Sequence, residues 1–169
     1  MKSIVLIGYM ASGKSAVGIV LAEKLNLKFI DLDAYIVSKT GLSIGGIFET
    51  KGEIYFRKIE SECLLGILEA QSGYILAVGG GTPCYGNNME SINKYAFSVF
   101  LKTPLKVLVN RLKAEKQNRP LVSSLSDADL TEFVAKHLFE RHPFYEKAQL
   151  TIDVKERGIT EIINEIAVV

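Results

Sequence analysis

A stretch near the beginning of the chain has residue types and spacing that suit phosphate binding. Residues 8–15 read GYMASGKS, which matches the pattern G-x-x-x-x-G-K-[ST] of a phosphate-binding loop. Glycines let successive backbone N–H groups point into one concavity that binds phosphate oxygens. Lys14 adds a cation for the outer phosphates, and Ser15 adds a hydroxyl ligand for Mg²⁺. The motif predicts a nucleotide site formed by Gly8, Ala11, Ser12, Gly13, Lys14, Ser15 and Ala16.

Two further groups of residues could act on a bound nucleotide. Asp31 and Asp33 follow one apolar run of the chain, and Gly79, Gly80 and Gly81 follow another. A carboxylate that faces the terminal phosphate can orient an acceptor hydroxyl and take its proton. Consecutive glycines let the backbone approach a ligand closely. The alternatives are that Asp33 caps a helix and that the glycines form a plain loop.

Strands and helices alternate along the sequence, which predicts a parallel sheet with helices on its faces. The predicted strands are residues 3–7, 28–31, 74–78, 97–101 and 149–154. The predicted helices are residues 14–25, 34–39, 43–50, 52–70, 88–94, 104–113, 127–141 and 160–169. Asn26 suits the end of the first helix, and Asp33 and Asp127 suit the N-caps of two others. The 169 residues are expected to form one domain.

The polar and glycine features lie where predicted strands end. The first strand leads into the phosphate-binding loop, the second into Asp31 and Asp33, and the third into residues 79–81. In open parallel sheets, ligands bind outside the carboxyl ends of the strands. The sequence therefore predicts that these three features meet in one site.

The chain lacks the motifs of a GTP-dependent switch. The best match to the base-reading motif N-K-x-D, residues 93–96, ends in alanine, and no D-x-x-G follows an early strand. Transfer of phosphate to a small acceptor is therefore the better interpretation. Residues 114–126 form a long polar stretch around Arg119, which is typical of a functional lid. A basic lid can neutralise charge on the transferring group.

Charge and cysteine content limit the expected setting. The 20 basic and 19 acidic residues give a net charge of +1, so neither nucleic acid nor an acidic membrane is expected as a partner. No apolar run approaches the ~18 residues of a membrane span. Cys63 and Cys84 suit a reducing compartment, and we expect a cytoplasmic monomer. His137, on an apolar helix face, is expected in the core rather than as a ligand.

The combination of motifs resembles the shikimate kinase family. The matching segments occur in the family order and cover most of the chain: residues 8–15 (GYMASGKS), 31–33 (DLD), 52–60 (GEIYFRKIE), 79–81 (GGG), 118–121 (NRPL) and 141–145 (RHPFY). The resemblance implies a phosphotransferase with an alcohol acceptor. It would phosphorylate the 3-hydroxyl of shikimate with MgATP, a step toward chorismate and the aromatic amino acids. The resemblance also implies a P-loop α/β fold with five parallel strands in the order 2-3-1-4-5, flanked by helices. Acceptor-binding helices would span about residues 33–60, and a lid residues 114–126.

The resemblance also implies roles for individual residues. The catalytic residues would be Lys14, Asp33 as the base, and Arg119. Shikimate would be held by Asp33, Arg57, Gly79, Gly80, Gly81 and Arg141. Glu60 would orient Arg57. Asp31 would lie near Mg²⁺ through water, Arg111 near the adenine, and Arg119 at the phosphates.

The acceptor residues also fit shikimate on chemical grounds. Shikimate has one carboxylate, which the planar fork of an arginine binds bidentately, and Arg57 and Arg141 are the available pair. The alternative is that both are surface arginines in ordinary ion pairs. A competing function is another small-molecule kinase of the same fold, such as a gluconate kinase or a nucleotide kinase. A neutral polyol acceptor would not need two arginines beside Asp33. A non-catalytic ATP-binding regulator would lack the base or the lid arginine.

The chain departs from the family pattern at two places: Val78, and the two glycines at residues 45–46. We expect these departures to affect acceptor affinity rather than the reaction.

Overall fold

Short apolar runs form a central sheet, and longer amphipathic segments cover it. The computed structural model describes residues 3–70, 72–115, 122–155 and 157–168. In these ranges the strands are β1 (Ile4–Ile7), β2 (Lys28–Asp31), β3 (Tyr74–Ala77), β4 (Phe97–Lys102) and β5 (Leu150–Asp153). The α-helices are α1 (Lys14–Leu25), α2 (Leu32–Thr40), α3 (Ile44–Ala70), α4 (Asn88–Tyr95), α5 (Leu105–Ala114), α6 (Asp127–Tyr145) and α7 (Ile159–Ala167). A turn of 3₁₀ helix spans Thr82–Cys84.

The sheet is parallel throughout and has the strand order β2-β3-β1-β4-β5, which confirms the predicted topology. In the central strand β1, Val5 pairs with Leu76 of β3 on one side and with Ser98 of β4 on the other. Because all strands run the same way, the carboxyl ends of β1, β2 and β3 are neighbours. The three segments that follow these strands therefore begin at one edge of the sheet.

Two apolar clusters cover the two faces of the sheet, because successive side chains of a strand point to opposite faces. Val5 and Ile7 of β1 pack in a cluster with α2 to α6. Ile4 and Leu6 pack on the other face with α1 and α7. Among the described residues, none of the helices combines the length and apolar composition needed to cross a membrane.

Two helix starts differ from the predictions. Asp31, rather than Asp33, caps α2: its carboxylate accepts a hydrogen bond from the Ala34 N–H at 3.1 Å. Asp33 lies in the first turn, so the helix terminus does not use its carboxylate. Ser126, rather than Asp127, caps α6, and its hydroxyl accepts from the Asp129 N–H. In both cases the cap is the residue just before the first helical residue. The predicted start of α2, residue 34, was two residues too late, whereas the predicted start of α6 was right and only its cap was assigned to the wrong residue.

Gly52 interrupts α3. Its φ of 81° and ψ of 171° are not helical, and this left-handed φ favours glycine. The helix therefore consists of two segments, as the predictions of residues 43–50 and 52–70 indicated. The predicted helix 127–141 ends too early, since α6 continues past Pro143 to Tyr145. Most other predicted bounds differ from the observed ones by one or two residues.

Candidate active site

The phosphate-binding loop connects β1 to α1. Gly13 has a φ of 95° and precedes the first residue of α1, so the helix N-terminus opens onto the loop. The ammonium group of Lys14 donates to the carbonyl oxygens of Gly8 and Tyr9, both at 2.8 Å. The Ser12 N–H also donates to the Tyr9 carbonyl, at 3.2 Å. The lysine is thus held over the concavity in which a phosphate would lie.

A hydroxyl and a carboxylate meet beside this loop. The Ser15 hydroxyl donates to Asp31 Oδ2 at 3.1 Å, while Asp31 Oδ1 caps α2. These are the hard oxygen donors that Mg²⁺ prefers, and Mg²⁺ usually keeps several waters besides one or two carboxylates and substrate phosphates. No group of three metal-ligating side chains occurs within the part of the chain that the structure describes. The pair therefore fits a Mg²⁺ ion that water and phosphate oxygens largely surround.

Arg57 is fixed in place by a buried carboxylate. Glu60 is 1% exposed; its Oε2 accepts from Arg57 Nη1 at 2.8 Å, and its Oε1 accepts from the Thr82 hydroxyl at 2.7 Å. The guanidinium also stacks on the ring of Tyr85, at 4.4 Å from the ring centroid. Since the Arg57 side chain is only 15% exposed, the alternative of an ordinary surface ion pair does not describe it.

The glycine triplet lies against both arginines. A Cβ at Gly81 would come within 2.7 Å of Arg57 Nη2, and one at Gly80 within 3.2 Å of both Arg141 Nη1 and the Met10 N–H nitrogen. A Cβ at Gly79 would lie 3.2 Å from Glu60 Oε1 and 3.7 Å from Asp33 Oδ1. Missing side chains at these positions let two cations, a carboxylate and the phosphate-binding loop approach one stretch of backbone.

Helix α6 brings Arg141 to this place. The Tyr145 hydroxyl donates to the Gly80 carbonyl at 2.5 Å, and the Arg141 guanidinium lies 5.5 Å from the centroid of the Tyr9 ring. Burial raises the pKa of Tyr145 well above its usual range and that of Tyr9 to about 12. Both phenols therefore stay protonated at neutral pH, and Tyr145 can serve as a hydrogen-bond donor.

Asp33 has a strongly perturbed acidity. Burial raises its pKa to about 6, and the charges of Asp31 and Glu60 add to this effect, while Lys14 and Arg57 oppose it. Its side chain still reaches solvent through the open cleft, but the surrounding protein atoms keep much of the hydration shell away. A base is most effective when its pKa lies near the working pH. The environment of Asp33 thus suits proton transfer.

Arg57 keeps its charge despite its surroundings. Burial alone would lower its pKa, but the adjacent Glu60 carboxylate more than compensates and holds the pKa above its usual value. The guanidinium therefore remains a cation that can bind an acceptor carboxylate.

A cavity of about 470 Å³ extends from the loop along the carboxyl edge of the sheet. Its lining includes most residues of the predicted nucleotide site. It also includes Asp31, Asp33, Gly79 and Gly80. Arg111 also lines it and donates to the Ala11 carbonyl at 3.0 Å. Arg57, Gly81 and Arg141 lie just outside this lining, next to Gly80.

One part of the cavity was missed by sequence reasoning. Its far wall consists of Glu115, Val154, Arg157, Ile159 and Ile162. Most of these residues follow β5, so the rule that ligands bind beyond strand ends could have found them. Arg157 is held there by Glu165 of α7, whose Oε2 lies 2.7 Å from Arg157 Nη2.

Comparison with known proteins agrees with this geometry. The family model described as "Shikimate kinase" matches residues 10–169. The shikimate kinase of Flavobacterium psychrophilum is 43% identical over 167 residues, which cover 98% of this chain and 97% of the relative. This chain belongs to the shikimate kinase family. Membership makes it a phosphotransferase that acts on a hydroxyl group and uses ATP with Mg²⁺.

Solved structures of shikimate kinases have the same fold. The enzyme from Bacteroides thetaiotaomicron superimposes with a TM-score of 0.92 at 36% identity, over 98% of this chain and 96% of the other. The enzyme from Acinetobacter baumannii, solved in complex with shikimate, gives a TM-score of 0.89 at 32% identity, over 99% of this chain and 91% of the other.

The structure brings most of the predicted shikimate kinase residues to one edge of the sheet. Lys14, Ser15 and Asp31 lie on the phosphate side, and Asp33, Arg57 and Arg141 surround the glycine triplet. Arg119 lies outside the described residues, as does the central part, residues 116–121, of the predicted lid. The roles assigned to Arg119 and to the lid stay predictions.

Proposed function

We propose that this chain transfers the γ-phosphoryl group of ATP to the 3-hydroxyl of shikimate, a step on the way to chorismate and the aromatic amino acids. The observation that carries the proposal is the placement of Asp33 between the phosphate-binding loop and two arginines that lie against the glycine triplet. This arrangement supplies a phosphate site, a base and a carboxylate site next to each other.

On the donor side, the loop backbone and the N-terminus of α1 bind the phosphate oxygens of ATP. Lys14 exchanges its bonds to the Gly8 and Tyr9 carbonyls for bonds to the outer phosphates. Ser15 and Asp31 would hold Mg²⁺, the latter through water. Arg111, which lines the cavity, would lie beside the adenine. Bound Mg²⁺ supplies positive charge that stabilises the negative charge of the transferring group.

On the acceptor side, Arg57 and Arg141 bind the shikimate carboxylate, and Glu60 keeps Arg57 in the required orientation. The backbone of residues 79–81 forms the floor on which the ring lies. Asp33 accepts the proton of the 3-hydroxyl as that oxygen attacks the phosphorus. The hydroxyl oxygen becomes the ester oxygen of the product, and ADP leaves.

The acceptor can be tested directly. Release of ADP would be measured with shikimate, with gluconate and with nucleoside monophosphates, each at several concentrations. We expect turnover with shikimate alone, because Arg57 and Arg141 suit one carboxylate on a ring that lies against the glycine triplet, whereas gluconate is an open chain and a nucleoside monophosphate is larger. Comparable turnover with gluconate or a nucleotide would overturn the assignment.

We also propose that one domain, residues 1–169, works as a monomer in the cytoplasm. Both Cys63 and Cys84 are free thiols, which suits a reducing compartment. Within this domain, residues 33–60 would bind the acceptor and residues 114–126 would form the lid. Sedimentation of the active enzyme at assay concentration tests the oligomeric state.

A further inference from the structure

One face of α6 touches two separate parts of the cleft. Phe133, His137, Arg141 and Tyr145 recur every four residues and so lie in a row on this helix. Tyr145 bonds to the Gly80 carbonyl, while Arg141 lies between Gly80 and the Tyr9 ring. The row therefore runs from the glycine triplet to the phosphate-binding loop.

His137 provides the contact to the loop. Its Nδ1 and the Tyr9 hydroxyl share a hydrogen bond of 3.2 Å. Phe133 packs on the imidazole, with ring centroids 4.2 Å apart, which limits the positions that the ring can take. The pKa of His137 is lowered by burial and by Arg141, so the ring is neutral at pH 7 and places no second cation beside Arg141.

Tyr9 connects this contact to the phosphate cradle. The residue is 1% exposed, and its carbonyl accepts hydrogen bonds from Lys14 Nζ and from the Ser12 N–H. The side chain of Tyr9 thus ends on α6, and its backbone supports Lys14. A shift of the ring by a few tenths of an ångström would move the loop relative to Arg141.

We infer that His137 is a positioning residue whose hydrogen bond to Tyr9 fixes the phosphate-binding loop relative to Arg141. The inference rests on the proposed function, because it assigns the loop to the phosphoryl donor and Arg141 to the acceptor. Each half of the site stays intact when the bond is lost, so binding of either substrate changes little. Alignment of donor and acceptor does change, and a misplacement of about 1 Å can cost roughly 10²-fold in rate.

The test compares three variants with the wild type in a steady-state assay with ATP and shikimate. His137→Leu and Tyr9→Phe each remove the bond, and we expect kcat to fall about fivefold to tenfold with each KM within about twofold of wild type. The double variant should be no slower than the slower single variant, because both changes remove the same bond. His137→Asn places an amide atom where Nδ1 lies and should restore most of kcat.

Two controls show whether a loss of kcat is caused by the bond between His137 and Tyr9 rather than by misfolding or by the loss of any histidine of α6. The other histidine of the chain, His142, also lies on α6 but contacts Phe100 and Glu146 instead of the cleft, so His142→Leu should keep the wild-type kcat. Thermal unfolding establishes that each variant is folded at the assay temperature. A loss of kcat caused only by instability would not be reversed by His137→Asn.

Wild-type kcat in His137→Leu, additive losses in the double variant, or a loss confined to KM would each overturn the inference. Failure of the wild type to phosphorylate shikimate would instead overturn the proposed function. The two failures are therefore distinguishable.

Discussion

Asp33 is the residue on which the proposed chemistry most depends. Since Asp31 caps α2, the Asp33 carboxylate is left to face the cleft. Asp33→Asn keeps the shape of the side chain but removes the base, and we expect kcat to fall by a factor on the order of 10² to 10⁴. ADP release and ATP binding should be measured on the same preparation. Unchanged kcat with normal ATP binding would show that Asp33 is not the base.

The acidity of Asp33 also predicts the pH dependence of the reaction. Its pKa is raised to about 6 by burial and by two neighbouring carboxylates. Only the ionised form can accept a proton, so kcat/KM for shikimate should be nearly constant above pH 7 and fall as the pH decreases through about 6. Measurement of kcat/KM between pH 5 and pH 8.5 tests this. Constant kcat/KM down to pH 5 would contradict it.

The same shift has a consequence for stability. The folded pKa of Asp33 lies above its unfolded value of 3.8, so ionisation disfavours the folded state. This penalty is fully present above about pH 6 and disappears as the pH falls toward the unfolded value. Asp33→Asn removes the penalty, so the variant should have a higher Tm than wild type at pH 8, with a smaller difference at pH 5. An equal difference at both pH values would disprove the linkage.

Sequence reasoning identified both aspartates but assigned the cap of α2 to Asp33 instead of Asp31. The capping rule applies equally to Asp31 and Asp33, and it cannot decide between them without the residue at which the helix begins. That residue depends on how β2 joins α2 at the edge of the sheet. The backbone hydrogen bond to Ala34 settles the matter, because one carboxylate is used by the helix and the other is not.

Among the helices, α3 shows what a local pattern can and cannot predict. Arg57 and Glu60 are three residues apart, a spacing that places them on one helix face, and they form a hydrogen bond there. Spacing alone does not reveal that Glu60 is buried and also bonded to Thr82. That burial arises because the turn after β3 packs on α3, a contact between segments distant in the sequence.

The approach of α3 to the glycine triplet leads to a prediction for Gly81. Its φ of −88° suits any residue, so Gly81→Ala causes no backbone strain, but the added Cβ would lie 2.7 Å from Arg57 Nη2. The guanidinium must then move, and we expect KM for shikimate to rise roughly tenfold, because a charge-assisted contact is worth about 1.5–3 kcal/mol. KM for ATP should stay nearly constant.

Gly66→Ala is the matched control for this substitution. Gly66 lies within α3, and a Cβ there would meet no atom within 4 Å. Alanine is the better helix former by ~0.5–1 kcal/mol, so the variant should unfold at a higher denaturant concentration with unchanged kinetics. Equal values of KM for shikimate in Gly81→Ala and Gly66→Ala would refute the proposed packing of Arg57.

At the scale of the whole molecule, the nucleotide should stabilise the fold. Residues from α1, β2, β3 and α7 all border the cavity, so occupancy links segments from both ends of the chain. MgATP at about 100 times its Kd should increase the free energy of unfolding by ~2.7 kcal/mol. Lys14→Ala should lose most of this increase and nearly all turnover while keeping a Tm close to wild type without ligand. Thermal shift with and without MgATP measures the stabilisation, and release of ADP with shikimate measures the turnover.

The strand order was predicted as a whole through the family resemblance. Within the site, the phosphate-binding loop and the glycine triplet could be predicted from the sequence, but the wall formed by Arg157 and α7 could not. Motifs of fixed spacing identified the phosphate-binding loop and the triplet. The wall formed by Arg157 and α7 has no such motif, because its contribution depends on shape and on ion pairs with Glu161 and Glu165. His137 was expected to be a core residue because only its apolar neighbours are visible in the sequence. Its bond to Tyr9 joins residues 128 positions apart.

The two proposed acceptor arginines come from α3 and α6, 84 positions apart in the chain, and this separation has a consequence for biosynthesis. Translation adds about 5–20 residues per second, so several seconds pass on the ribosome between the appearance of Arg57 and that of Arg141. During that interval β3 and β4 are added to a nascent chain that already contains the phosphate-binding loop, β1 and β2. Because Arg141 and Tyr145 are still missing, the nascent chain lacks half of the carboxylate site. If Arg141 binds the acceptor as proposed, shikimate cannot stabilise the emerging chain before that residue is added, whereas the phosphates of a nucleotide can bind the loop as soon as the central strands have paired.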